Sequence, residues 1–206
     1  HNPDACEYKG GSRTDAYTEL RAIAKQKQMM HSMKGGVTIS GGEPLWQPDF
    51  VKTIFEGCKV MGVHTALDTS GFLGKKADDE LLSLTDLVLL DIKHFDPDSY
   101  KRVAGVDLQP TLDFAERLAS LNIPVWLRYV LVPGYTDDMD AISKMGAYAR
   151  RLGNVERIEV LPFHKMGEYK WEAMGRDYRL YDIQEPTPDM VARAKTRFED
   201  EGVAVY

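Results

Sequence analysis

The stretch "TISGGEP", residues 38–44, marks the point where an apolar, β-branched segment stops and a polar turn begins. Gly41 and Gly42 follow Ser40 there, and since they carry no Cβ they let the backbone come close to a ligand. Glu43 comes next and could offer its carboxylate to a cation such as an amino group. A tight strand-to-helix turn, with Glu43 favoured by the helix dipole, explains the same residues without a ligand.

Four more apolar segments rich in Val, Ile and Leu follow, and each turns polar at the same relative position. The stretches between them have the apolar spacing of amphipathic helices. Strands that alternate with helices favour a parallel sheet, because parallel neighbours need a crossover of this length. Such strands indicate a sheet covered on both faces or curled into a barrel, with ligands at the carboxyl ends of the strands. The predicted strands lie in GGVTIS, VHTALDTSG, DLVLLDIK, VWLRYVLVPG and RIEVLPFH.

Capping residues mark the ends of several predicted helices. Thr14 is the predicted N-cap of the first helix, and Thr187 caps the last one, with Pro188 at its first position. Gly153 is a predicted helix stop. Cys58 shares an apolar helical face with Phe50, Ile54 and Met61, so it is predicted to be a small, buried hydrophobic residue.

Two stretches give weaker patterns. Met29, Met30 and Met33, near the end of the first helix, are expected to pack in the core. The glycine-bounded aromatic stretch GEYKWEAMG, residues 167–175, is predicted to be a loop that either closes over a site or seals the end of a barrel.

Length and composition suit one domain, predicted to span residues 1–206. A hydrophobic share of 43% and a charged share of 28% are typical of soluble globular proteins. The sequence has no apolar run of about 18 residues and no signal segment, so membrane partners are not expected and the cytoplasm is the expected location. The net charge is −6 and no basic stripe occurs, which argues against nucleic acid as a partner.

The acids and the lysine after the middle strands are candidate binding residues. Asp68 and Asp91 end neighbouring strands and could hold a metal cation or a hydroxyl together, although each could equally satisfy loop amides in a turn. Lys93 lies two residues beyond Asp91 and therefore points to the same face. It could bind a ligand carboxylate, or it could form an ion pair with that acid.

The last two strands add a basic residue and a histidine. Arg128 lies within an otherwise apolar strand, where a guanidinium needs a partner, either a ligand or an acid such as Asp91. His164 follows the final strand and is either a ligand contact or an ordinary structural residue. Strand ends that converge on acids, a lysine, an arginine and a histidine predict a site for a charged or zwitterionic small molecule.

In their order and spacing these motifs resemble those of the radical S-adenosylmethionine (SAM) enzymes, and within them the activators of pyruvate formate-lyase. GGE alone is unspecific, whereas LDTSGF, DIK, RYVLVPG and LPFH in this order are specific, and KWEAMG narrows the resemblance to activators of glycyl radical enzymes. The match covers essentially the whole chain. It implies an α/β fold, a partial (β/α) barrel of the radical SAM type.

The resemblance implies a role for each strand end. Residues 40–43 resemble the element that holds the amino group of SAM, with Glu43 among its ligands, and Lys93 matches a lysine that meets the SAM carboxylate. Arg128 and His164 match positions near the ribose and adenine. Asn2 matches a residue at the edge of the cofactor.

The resemblance also implies a cation site. Asp68, Thr69 and Asp91 match positions that the family can use for a monovalent cation beside the cofactor, and Asp68 is also a candidate contact of SAM itself.

The cysteines depart from the family pattern. In the family, a CxxxCxxC motif directly ahead of an HNPD-like sequence holds three irons of a 4Fe-4S cluster, and SAM chelates the fourth. This chain starts at HNPD, so the first strand and the cluster cysteines are expected to be absent, which would leave five parallel strands and an unpaired edge beside GGVTIS. Cys6 and Cys58 have neither the number nor the spacing to replace them, or to form a disulfide framework or a zinc site. The chain as given is expected to be inactive.

The function implied for the intact protein is that of an activase. A reduced cluster would give one electron to SAM, and a 5′-deoxyadenosyl radical would take hydrogen from a backbone glycine of pyruvate formate-lyase, an anaerobic reaction. A flavodoxin or ferredoxin-type protein would donate the electron. Two alternatives stay open: an activase of another glycyl radical enzyme, and a cluster-free domain that binds SAM or a protein partner.

Overall fold

The structure is a computed structural model that describes residues 13–206. One or two helices separate each strand from the next along this part of the chain. The strands are β1 (Gly36–Ile39), β2 (His64–Thr69), β3 (Leu87–Asp91), β4 (Val125–Leu131) and β5 (Val155–Pro162). The helices are α1 (Ala16–Ser32), α2 (Pro48–Val60), α3 (Asp79–Ser83), α4 (Pro97–Ala104), α5 (Gln109–Ser120), α6 (Met139–Leu152), α7 (Glu168–Ala173) and α8 (Pro188–Asp200).

The five strands form one open sheet in chain order, β1-β2-β3-β4-β5. β1 pairs with β2 and β2 with β3 in parallel, with Thr38 opposite Ala66 and Asp68 opposite Leu89. Helical crossovers make these parallel neighbours possible. The structure confirms the predicted α/β class and the five predicted strands, and an open sheet of this order is consistent with a partial barrel.

The two faces of the later strands differ in burial. In β4, Leu127 and Tyr129 are 0% exposed, whereas Arg128 between them is only partly buried. In β3, Leu90 is 0% exposed and the neighbouring Asp91 is partly buried. Successive side chains of a strand point to opposite faces, so one face of each strand is apolar core and the other carries the predicted site residues.

The described chain divides into two compact units, and the first contains the residues up to Asp91 together with Leu108–Trp126. Asp86 fastens the start of β3 to β2, because its carboxylate accepts a 2.9 Å hydrogen bond from the Thr65 amide and pairs with Lys59 at 2.5 Å. The core of this unit includes Leu45, Ile54, Phe55, Cys58, Leu67, Val88, Leu90 and Leu118.

The second unit contains Ile92–Asp107 and Leu127–Tyr206. Helices α6 and α8 pack together in it, and Phe198 of α8 meets Tyr129 edge to face with 5.5 Å between ring centroids. The Tyr129 hydroxyl donates to the carbonyl of Thr136. A single domain over residues 1–206 stays a prediction.

Two of the three predicted residues at helix ends are confirmed. Thr187 accepts a hydrogen bond from the Met190 amide at 3.3 Å, and Gly153 ends α6 in the left-handed conformation, both as predicted. At α1 the cap is Asp15 rather than Thr14, because the Asp15 carboxylate accepts the Thr18 amide at 2.8 Å. None of the helices between residues 13 and 206 is long and apolar enough to cross a bilayer.

Two predictions on core and loop residues are wrong. Met29 and Met33 are 54% and 74% exposed rather than packed in the core, and Met30 is only partly buried. α1 packs against α2 and β1, but none of its residues is fully buried. Residues Glu168–Ala173 form the short helix α7 inside the stretch predicted to be a loop. The prediction that Cys58 is buried is confirmed, since it is 0% exposed.

Candidate functional site

In the first unit, the residues that follow β1 and β2 are joined through the carboxylate of Glu43. Its Oε1 accepts hydrogen bonds from the Thr69 hydroxyl at 2.6 Å and from the Leu45 amide at 3.2 Å. Its Oε2 accepts from the Ser70 hydroxyl at 2.6 Å and from the Ser70 amide at 3.1 Å. Glu43 is only 8% exposed. A buried carboxylate is stabilised by such donors, and this one cross-links two strand ends.

Two more hydrogen bonds, made by the hydroxyls of Thr69 and Thr111, stabilise the turn after β2. The Thr69 hydroxyl accepts a 3.0 Å hydrogen bond from the Gly71 amide, and the Thr111 hydroxyl donates to the Ser70 carbonyl at 2.9 Å. Glu43 also caps the short 3₁₀-helix Pro44–Trp46. The strand ends of this unit are therefore fixed by side chains before any ligand binds.

Gly41 supplies the open backbone of this region. Its φ is +128°, a conformation that favours glycine, and no heavy atom lies within 4 Å of the position a Cβ would take. Gly41 and Gly42 are both exposed, as is Ser40. A small ligand could approach this backbone closely, as binding of the SAM amino group would require.

The three residues predicted to hold a monovalent cation do not all point the same way. Asp68 lies opposite Leu89, so Asp68 and Asp91 occupy the same face of neighbouring strands on a diagonal. Thr69 points to the other face, is 3% exposed, and its hydroxyl contacts Glu43 and Gly71. The cation site stays a prediction, in which Thr69 would contribute its backbone carbonyl rather than its hydroxyl.

In the second unit, Arg128 lies beside a carboxylate. Its Nε is 3.9 Å from Oε2 of Glu159 on β5, and Oε1 of Glu159 is 2.5 Å from Nη2 of Arg157. The three side chains are partly buried, with 29%, 21% and 25% of their surface exposed for Arg128, Glu159 and Arg157. The sequence predicted either a ligand or an acid such as Asp91 as the partner of Arg128, and Glu159 was not predicted.

The remaining predicted residues have different surroundings. Lys93 is partly buried, just beyond β3, and His164 is exposed directly ahead of the 3₁₀-helix Lys165–Gly167. Asn2 lies outside the described residues. Contact with one common ligand stays a prediction for all of these residues.

His94 was missed by the sequence reading. It is 2% exposed, and its Nδ1 accepts a 2.9 Å hydrogen bond from the Asp96 amide. The neutral ring therefore carries its proton on Nε2. Burial lowers the pKa of His94, while the carboxylates of Asp138 and Asp96 oppose that change. The stretch DIKHFDP contained one signal, since Asp96 followed by Pro97 is typical of a helix start.

The described residues do not fit an iron-sulfur cluster. Among residues 13–206 the free cysteine is Cys58, which lies in the core, and burial raises the pKa of its thiol. In that part of the chain, no three His, Cys, Asp or Glu side chains are grouped so that they could hold a metal ion. Cys6 lies outside the described residues.

Comparisons with known proteins agree with the strand-end motifs. The sequence profile of the radical SAM superfamily matches residues 5–145. The chain is 41% identical over 204 residues to pyruvate formate-lyase 1-activating enzyme of Escherichia coli strain K12, which covers 98% of this chain and 83% of that enzyme. It is also 41% identical over 201 residues to pyruvate formate-lyase-activating enzyme of Staphylococcus aureus strain USA300, which covers 94% of this chain and 80% of that enzyme.

A solved structure agrees as well. A crystallised domain of pyruvate-formate lyase-activating enzyme from Bacteroides vulgatus superposes with a TM-score of 0.70 at 26% identity, over 84% of this chain and 98% of that domain. The profile match and the sequence identity over nearly the whole length lead to one conclusion: the chain belongs to the radical SAM superfamily, and its relatives there are pyruvate formate-lyase activating enzymes.

Proposed function

We propose that the protein is an activase that installs a glycyl radical in pyruvate formate-lyase. The observation that carries this proposal is the 41% identity over 98% of the chain to an enzyme with that name. SAM, when bound, supplies the radical chemistry that removes a hydrogen atom from the glycine of the partner. A flavodoxin or ferredoxin-type protein as electron donor belongs to the same proposal.

The chain's own residues would bind and orient SAM. The exposed backbone at Gly41 and Gly42 would receive its amino group, and the four internal hydrogen bonds of Glu43 would fix the loop. Direct contact between Glu43 and the amino group stays part of the proposal. Lys93 would pair with the carboxylate of SAM.

Other residues would contact the rest of the cofactor. Arg128 and His164 would lie near the ribose and adenine, and Asn2 at the edge. Asp68 and Asp91, with the backbone of Thr69, would hold a monovalent cation beside SAM. No side-chain acid or base is needed for hydrogen-atom removal, so the task of these groups is binding and orientation.

The test uses the protein expressed from its complete reading frame and purified without oxygen. With SAM, a one-electron donor and pyruvate formate-lyase, we expect the electron paramagnetic resonance signal of a glycyl radical and consumption of SAM. A signal only with a different glycyl radical enzyme would redirect the activity to that partner. No signal with any of these partners would overturn the proposal.

A second measurement addresses the cluster-free alternative. Because the chain has two cysteines and the described one is buried, we expect residues 1–206 alone to form no glycyl radical. SAM binding by this chain in calorimetry, together with inactivity of the complete protein, would favour a domain that only binds SAM.

A further inference from the structure

Glu159 lies between two guanidinium groups in the second unit. Arg128 on β4, and Arg157 and Glu159 on β5, all belong to the less buried face of their strands. On the opposite face of β5, Ile158 and Val160 are 0% and 4% exposed. The charged side chains therefore occupy the face of β4 and β5 that is not filled by apolar core.

The two contacts of Glu159 differ in length. Arg157 Nη2 donates a hydrogen bond to Glu159 Oε1 at 2.5 Å, and this bond fixes the orientation of the carboxylate. The contact with Arg128 Nε, at 3.9 Å, is an electrostatic one. The Glu159 carboxylate therefore lies nearest to the Nε atom of Arg128. It compensates part of the positive charge of both Arg128 and Arg157.

We infer that Glu159 is a positioning residue that orients the Arg128 guanidinium toward the bound cofactor, with Arg157 holding Glu159 in place. This inference rests on the proposed function, in which Arg128 lies near the nucleoside part of SAM. Removal of the carboxylate that lies 3.9 Å from Nε would take away one electrostatic restraint on the long, flexible Arg128 side chain. Glu159 itself would touch no reacting atom.

The first experiment measures the contact without any cofactor. In Glu159→Gln we expect the Nε–H resonance of Arg128 in a ¹⁵N correlation spectrum to move, with assignment from an Arg128→Lys variant. The matched control is Glu199→Gln, which removes an exposed carboxylate from α8 of the same unit. An unmoved Arg128 resonance in Glu159→Gln would overturn the inference and leave the proposed function intact.

The second experiment measures SAM affinity by calorimetry on the complete protein. We expect Glu159→Gln to weaken binding about tenfold and to have no further effect when Arg128→Gln is already present, because coupled residues are not additive. Equal losses in both backgrounds, or normal affinity in Glu159→Gln, would overturn the inference. If the wild-type protein bound no SAM, the inference and the proposed function would both be overturned.

Melting temperatures and a conservative variant distinguish a positioning role of Glu159 from a purely structural one. Glu159→Asp keeps the charge and is expected to restore part of the affinity lost in Glu159→Gln at an equal melting temperature. If Glu159→Gln does not fold, Glu159→Ala takes its place in both experiments, and a normal affinity together with an unmoved resonance would overturn the inference.

Discussion

The Thr69 hydroxyl donates a 2.6 Å hydrogen bond to the Glu43 carboxylate, across 26 residues of sequence. This contact gives the glutamate of the GGE motif a structural role in this chain. The sequence suggested Glu43 as a ligand of an amino group, yet both carboxylate oxygens already accept hydrogen bonds inside the protein. Glu43 has a structural role whether or not it also contacts the cofactor.

Glu43→Gln is therefore expected to lower the free energy of unfolding by about 1–3 kcal/mol, since an amide NH₂ would face donors that need an acceptor. Urea denaturation followed by circular dichroism measures this loss. Glu56→Gln, which changes an exposed carboxylate on α2, is the control and should be nearly neutral. Unchanged stability in Glu43→Gln combined with lost SAM affinity would show that the carboxylate acts mainly as a ligand.

Gly41→Ala is expected to cost about 1–3 kcal/mol of stability because alanine is strained at φ +128°. Its methyl group would also occupy the open space beside the backbone, so SAM affinity should fall. Gly167→Ala is a matched control, because its φ is −88° and the Cβ position is equally open. A loss of stability in both variants would contradict the argument from backbone conformation.

His94 predicts a pH dependence of folding. Burial lowers its pKa in the folded protein, so the unfolded chain takes up the extra proton first as the pH falls below about 6.5. Stability should be fully present above that pH and decrease toward pH 5. The groups that face this ring are Asp96, Asp138 and Arg102.

The measurement is urea unfolding between pH 5 and pH 8. His94→Gln should flatten the profile, whereas His64→Gln, at an exposed position of β2, should keep the wild-type slope. The carboxylates whose pKa is lowered, including those of Asp86 and Asp96, titrate below this window and do not account for the slope. An unchanged slope in His94→Gln would assign the effect to another group.

Cys58 is expected to resist alkylation in the native protein, because it is 0% exposed and burial raises the pKa of its thiol. Mass spectrometry of the peptide that contains Cys58 should show modification by iodoacetamide in urea and little in buffer. Rapid modification in buffer would mean that the first unit opens readily around α2.

Much of the fold could be predicted from the sequence because its signals are local. Each of the five strands is an apolar run that ends in polar residues, and Thr187 and Gly153 mark their helix ends correctly. α4 was missed although Asp96 caps it and Gly105 ends it, since an eight-residue helix leaves little periodic pattern. The exposure of Met29 was missed because periodicity does not show which helical face is covered.

The site was less predictable because its contacts join distant segments. Glu43 and Thr69, or Arg128 and Glu159, meet through strand pairing and the choice of face, which the local sequence does not contain. The sequence did identify Arg128 as needing a partner, either a ligand or an acid, from the cost of burying its charge. The identity of that partner required the structure.

β2 is fastened at both ends: the Asp86 carboxylate holds its start to β3, and the Glu43 carboxylate holds its end to the loop after β1. A slip of one residue would turn Asp68 into the apolar layer and would have to break both attachments together. Because both attachments resist the same slip, we expect the loss of one to lower stability before it changes the alignment of Asp68 with β3.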